Sequence, residues 1–174
     1  ELKDISKRWI RRNIGIILQD PFLYAASVYD NISIANKGLS QTEIQNAAKT
    51  ASIHQDIMSF DKGYETLVGE KGTTLSGGQK QRLAIARMLV LNKPIMIFDD
   101  SLSAVDTQTD INIRTALKNR NENLTSIIIT HRITTAKEAD KIVVLENGIV
   151  SAVGKHDEMV KVSPLYKSLW DIQG

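Results

Sequence analysis

Short apolar runs alternate along the chain with segments in which apolar residues recur every three or four positions. Ile14 to Leu18 is an apolar run closed by Gln19-Asp20-Pro21, the pattern of a buried strand that ends in a turn. Ser40-Gln41-Thr42-Glu43 reads as a capping box, and Ile44, Ala47, Ala48 and Ala51 follow at helical spacing. Gly63 to Thr74 is rich in Gly and Thr and reads as loop. Ser76-Gly77-Gly78-Gln79 fits a second capping box, opening a helix to about Leu91 that Asn92 to Pro94 stop. Ile95 to Phe98 is a second strand, followed at once by Asp99-Asp100. Asp106 can cap a helix carrying Ile111, Ile113 and Leu117. Ser126 to Thr130 is a third strand, ending at His131, and Thr134 to Ala139 a short helix. Lys141 to Leu145 and Ile149 to Val153 flank Glu146-Asn147-Gly148, whose Asn-Gly step signals a hairpin. The segment from His156 onward reads as helical.

Apolar strands alternating with helices predict an α/β fold with a mostly parallel sheet covered on both faces. Ligands of such sheets sit outside the carboxyl ends of the strands. Three of those ends carry polar residues, namely Gln19, Asp99-Asp100 and His131, and they are expected to converge on one edge. Length and charge add limits. The 174 residues suffice for one domain, and a net charge of +2 is too small to argue for nucleic acid or an anionic membrane as partner. The absence of cysteine excludes disulfides and thiolate metal sites. No apolar run approaches the roughly 18 residues of a membrane helix, and no signal-peptide pattern opens the chain. The sequence begins in mid-pattern at Glu1-Leu2-Lys3-Asp4 and is expected to be a piece of something longer.

Two segments carry candidate chemistry. Asp99-Asp100, directly after a strand, offers hard oxygen ligands of the kind Mg²⁺ takes beside substrate phosphates; an ordinary Asp-Asp-Ser turn is the other reading. Leu75-Ser76-Gly77-Gly78-Gln79-Lys80-Gln81-Arg82 opens a helix, whose free N–H groups and partial positive charge suit an anion, with two glycines that let a phosphate approach. A well-capped helix start would look the same over its first four residues. The full octapeptide, however, resembles the ABC signature motif, and the chain resembles the ATPase domain of an ABC transporter. The resemblance extends in order along nearly the whole chain. Gln19 matches the Q-loop glutamine, Pro94 to Asp99 the Walker B strand, Ser103-Ala104-Val105-Asp106 the D-loop, and His131 the switch histidine. His54 and His156 fall outside this set and receive no role.

The resemblance implies a P-loop NTPase-like, mostly parallel sheet with an inserted α-helical signature subdomain, truncated at the N-terminus. Residues 1–21 and 93–174 would form the sheet part and 22–92 the helical subdomain. ATP and Mg²⁺ are the implied cofactors. Asp99 and Gln19 would serve the metal, and Asp100, Gln19 and His131 the hydrolytic chemistry. Ser76, Gly77, Gly78 and Gln79 would contact nucleotide held by a second ABC ATPase domain, with Asp106 communicating across the pair. Gln19 to Leu23 running on to Val28-Tyr29-Asp30-Asn31-Ile32, and Thr66 to Gly72, are similar to exporter segments, which in the family meet the coupling helices of a transmembrane domain. The implied setting is the cytoplasmic face of a membrane, with no nucleic-acid partner.

Two departures qualify the match. No G-x-x-x-x-G-K-[ST] phosphate loop occurs; Gly148 with Gly154-Lys155 comes nearest, but the spacing is one off and His156 stands where Ser or Thr belongs. The family places that loop upstream of the Q-loop, so this segment alone is expected to be inactive. The second departure is Asp100, where the family normally has Glu. Asp here resembles the slow half of heterodimeric exporters, whose intact signature completes the partner's site. The rival readings are a soluble ABC ATPase and a non-catalytic nucleotide-sensing half of a heterodimer.

Overall fold

The computed structural model describes residues 1–69, 72, 74–103, 105–120 and 124–174, with Arg120 described by its backbone alone. The chain divides into two compact units, Glu1–Ile129 and Thr130–Gly174.

In the first unit, helix α1 (Lys7–Asn13) is capped by Ser6 and leads into strand β1 (Ile14–Ile17). Four helices follow: α2 (Val28–Ser33), α3 (Gln41–Thr50), α4 (His54–Ser59) and α5 (Gly77–Leu89). Strand β2 (Ile95–Asp99), helix α6 (Thr107–Arg120) and strand β3 (Thr125–Ile129) complete the unit. The sheet order is β1-β2-β3, and both pairings are parallel. Each crossover is helical, as parallel neighbours require. Both predicted capping boxes form. At α3, Glu43 Oε2 accepts the Ser40 N–H at 2.8 Å while Ser40 Oγ accepts the Glu43 N–H at 3.3 Å. The expected loop at 63–74 contains a 3₁₀ turn over Gly63–Glu65 and an isolated bridge between Ser27 and Leu67; Glu70, Lys71 and Thr73 of that segment lie outside the described residues.

Sheet and helices share one core. Ile17, Met96 and Phe98 from the strands join Leu23, Val28, Ile32, Ile44, Ile53, Ile57, Leu83, Ile85 and Leu89 from the helical segment. Each fully buried side chain of this size contributes about 1.5–3 kcal/mol. Strand β1 and helix α5 meet at the backbone, since a Cβ at Gly15 would collide with Met88 Sδ. Only one face of the sheet is covered in this way. Register places Ile16, Ile97 and Ile127 side by side, with Asp99 beside Ile129, on the other face. There Ile16 is 51%, Ile127 47% and Ile129 52% exposed. The expectation of a sheet covered on both faces is therefore not met at Ile16, Ile127 and Ile129, which stay about half exposed among the described residues.

In the second unit, α7 (Ile133–Lys137) precedes the antiparallel hairpin of β4 (Ile142–Glu146) and β5 (Ile149–Gly154). Its turn is Asn147 at φ 52° with Gly148 at φ 79°, the left-handed pair that a type I′ turn needs and that Asn-Gly supplies at least strain. The helical tail is two helices, α8 (His156–Val162) and α9 (Pro164–Gln173). Ser163 separates them and caps the second, with Pro164 at its first turn. Ile133, Ile142, Met159 and Tyr166 form this unit's own core.

Candidate functional site

Helix α5 begins as its sequence dictates. Ser76 Oγ accepts the Gln79 N–H at 3.3 Å, and Gln79 Oε1 accepts the Ser76 N–H at 3.0 Å. Ser76 and Gly77 are exposed. A Cβ at Gly77 would meet nothing within 4 Å, and Gly77 is not among the positive-φ residues. Among the described residues, neither packing nor backbone conformation calls for glycine there. The free N–H groups of the first turn thus open onto space beside the positive end of a 13-residue helix.

The other end of the Gln79 side chain is also occupied. Its Nε2 donates to Asp56 Oδ1 of α4 at 2.9 Å, and Arg82 Nη2 donates to Asp56 Oδ2 at 3.1 Å. Further along α5, the buried Gln81 donates through Nε2 to the Leu18 carbonyl at 3.2 Å, and Arg87 Nη2 donates to the Phe22 carbonyl at 2.8 Å. Burial holds the Arg87 guanidinium below its usual value, an effect that the neighbouring Tyr24 opposes. Helix α5 therefore fixes both sides of the turn that holds Gln19.

At the strand ends, Asp99 closes β2 on the open face of the sheet. Asp100 follows at φ 45°, a left-handed conformation that Asp tolerates better than most residues. Its N–H donates to the Ile129 carbonyl at 2.9 Å, and its carbonyl accepts from Ser103 Oγ at 2.7 Å. Gln19 Nε2 reaches Asp100 Oδ2 at 3.5 Å, a long contact. Two of the three polar strand ends thus meet in the first unit. Asp106 caps α6, its Oδ1 accepting the Thr109 N–H at 2.9 Å. Hydrogen bonds from the Thr109 side chain and backbone lower its pKa, with the charge of Arg82 adding to the effect. Ala104, between Ser103 and Asp106, lies outside the described residues.

The donor set suits Mg²⁺. Asp99, Asp100 and Gln19 offer oxygen ligands only, and among the described residues no group of three His, Cys, Asp or Glu side chains could hold a metal by itself. Mg²⁺ fits such a set because it usually takes one or two carboxylates and draws its other ligands from phosphate and water.

His131 belongs to the second unit and is exposed there. Its carbonyl accepts from Gln173 Nε2 at 3.3 Å, and Gln173 Oε1 accepts the Ile133 N–H at 3.0 Å, so the end of α9 holds the main chain on both sides of Arg132.

Sequence reasoning missed Asp56, Gln81, Arg87 and Gln173. Their partners lie 23, 63, 65 and 42 positions away in the chain, beyond any local pattern.

Residues 1–103 match the family described as ABC transporter. The chain is 42% identical over 173 residues to the putative multidrug export ATP-binding/permease protein YgaD of Bacillus subtilis, covering 99% of this chain and 30% of that protein. It is 45% identical over 166 residues to the alpha-hemolysin translocation ATP-binding protein HlyB of Escherichia coli, covering 95% of this chain and 24% of that protein. Its fold is similar to that of a bacterial Atm1-family ABC exporter with ATP bound, with a TM-score of 0.93 and 38% identity over 98% of this chain and 30% of that one. The chain thus spans less than a third of the length of the relatives described here. Among the described residues no helix is long and apolar enough to cross a membrane.

Proposed function

This chain belongs to the ABC transporter family, and from that premise we propose that it is part of the nucleotide-binding domain of an exporter, where ATP binding and hydrolysis drive a substrate across a membrane. The exporter names of its relatives support the reading. The observation that carries it is the open start of α5: Ser76 is exposed and a Cβ at Gly77 would meet nothing within 4 Å among the described residues, at the positive end of a helix. Ser76, Gly77, Gly78 and Gln79 form the surface offered to the terminal phosphate of a nucleotide held by a second ATPase domain, and Asp106 lies at the contact between the two domains. Residues 1–21 and 93–174 serve as sheet part and 22–92 as helical subdomain. The segments around Phe22 and Val68 face the transmembrane domain, and the assembly sits on the cytoplasmic side of the membrane.

Asp99 and Gln19 would hold Mg²⁺, which supplies electrostatic stabilisation of the phosphates when bound. Asp100 orients the attacking water through a carboxylate one methylene shorter than the family's usual Glu, and His131 contacts the terminal phosphate. On this reading the site using Asp100 is the slow one, and the signature acts on ATP bound by a non-identical partner.

These 174 residues hold no phosphate loop, so the chain alone is inactive. Isothermal titration with Mg·ATP should give no saturable binding below millimolar concentration, and release of phosphate should stay at the buffer rate. Saturable micromolar binding by this chain overturns the assignment of the phosphates to a loop outside it.

A further inference from the structure

We infer that Asp56 of α4, outside every motif of the family match, is a positioning residue that aims the start of α5 through Gln79. The inference rests on the reading of Ser76 and Gly77 as a phosphate contact and deepens it. Gln79 joins the two elements. Both ends of its amide are committed: Oε1 accepts the Ser76 N–H at 3.0 Å and Nε2 donates to Asp56 Oδ1 at 2.9 Å. A side chain bonded at both ends is held in one orientation, with one Nε2 hydrogen still free to donate outward. Gln79 thus links Ser76 to Asp56, and Asp56 acts through Gln79.

Arg82 fixes Asp56 in turn. Its Nη2 donates to Asp56 Oδ2 at 3.1 Å, with the two side chains 14% and 29% exposed. A charge-assisted bond in partial burial orients its partners more firmly than a solvent-facing pair. Each carboxylate oxygen of Asp56 has a separate task, one holding Gln79 and the other Arg82. Arg82 also lies near enough to Asp106 for its charge to lower the pKa of that carboxyl. The chain of contacts thus runs from Ser76 through Gln79 and Asp56 to Arg82, with Asp106 within the field of its far end. Because a positional error of about 1 Å at a reacting centre can cost about 10²-fold, the orientation of Ser76 is worth fixing from a second element.

The test is an exchange of the amide and the carboxylate in the full-length transporter with its partner subunit. Gln79→Glu sets two carboxylates against each other while leaving an acceptor for the Ser76 N–H; it should lower kcat for ATP about tenfold. Adding Asp56→Asn restores an amide-to-carboxylate bond with its direction reversed, and should return kcat to within about threefold of wild type. Hydrogen exchange supplies a readout free of activity. Amides of Ser76 to Gln79 should exchange faster in Gln79→Glu and slow again in the double variant, while those of Ile85 to Leu89 stay unchanged. If the double variant is no better than Gln79→Glu while Ser76→Arg abolishes turnover, the positioning role is overturned and the signature reading stands. If Ser76→Arg leaves turnover unchanged, the signature reading falls and this inference with it. Should Gln79→Glu not fold, Asp56→Asn alone is read by exchange: faster exchange confined to Ser76–Gln79 supports the role, and exchange equal to wild type overturns it.

Discussion

The start of α5 and the end of β2 both carry residues assigned to nucleotide, yet they are held at very different density. The helix start is tied by a reciprocal capping box, by Asp56 and Arg82 from the side, and by buried Leu83, Ile85 and Leu89 beneath. Gln19 and Asp100, at the strand ends, meet through a long side-chain contact of 3.5 Å, and Asp99 lies on a sheet face where Ile16, Ile127 and Ile129 are about half exposed. A helix carries its own hydrogen bonds and needs only one apolar stripe to be fixed. A strand end in a parallel sheet depends on whatever packs on both faces. The first region is thus fixed mainly by its own helix, and the second depends more on what packs against the sheet.

The largest expected effect lies beneath the start of α5. Leu83→Ala removes a fully buried side chain under the signature, and unfolding should show a loss of about 2–5 kcal/mol. Ile127→Ala, on the open face, should cost far less, and an equal loss would mean that this face is packed after all. Next comes rate. In the full-length transporter with its partner, Asp100→Glu should raise hydrolysis at the site that uses it, by up to about 10²-fold if the missing methylene is what misplaces the water. An unchanged rate would move the limitation to another group. A smaller effect concerns the caps. Ser40→Ala and Ser76→Ala remove the same kind of cap, and each should cost about 1 kcal/mol in thermal unfolding; only the second should also weaken ATP turnover in the full-length protein.

The smallest effect is one of pH. Glu43 is held below its ordinary value of 4.5 by hydrogen bonds from the Ser40 backbone and side chain. Asp106 is held below its ordinary value of 3.8 by hydrogen bonds from Thr109. A carboxyl whose folded pKa is depressed stabilises the fold above its unfolded pKa and loses that contribution as pH falls through the folded one. The stability difference between wild type and Glu43→Gln should therefore be flat from neutral pH down to about 5 and shrink on further acidification. A difference that grows toward acid would reverse the assigned sign.

Much of this was legible in the sequence because the signals were local. Ser40 to Glu43, Ser76 to Gln79 and Asn147-Gly148 each specify their own geometry within four residues. The strand-end positions of Gln19, Asp99 and Asp100 followed from apolar runs that stop at polar residues. Helix α1 left no such trace: Lys7 to Asn13 has no buried residue and so no apolar stripe. Helix α4 has only six residues and no side-chain cap. Helix α2 did carry a signal, Ser27 with Asp30, whose N–H donates to Ser27 Oγ at 3.0 Å. The contacts of Asp56, Gln81 and Arg87 came from tertiary packing, which pairs residues that no sequence period relates.

The bare sheet face bears on the metal as a question of dielectric. Asp99 stands in register with Ile129, and Ile16, Ile97 and Ile127 lie beside them on the same face. While water wets those isoleucines, it also screens the carboxylate, and a cation at about 4 Å gains only about 1 kcal/mol per pair of unit charges. Whatever covers the isoleucines removes that water from beside Asp99, and the same attraction rises severalfold as the effective dielectric falls. On the proposed reading of Asp99 as a metal ligand, covering the apolar patch would strengthen its attraction for a cation by lowering the local dielectric.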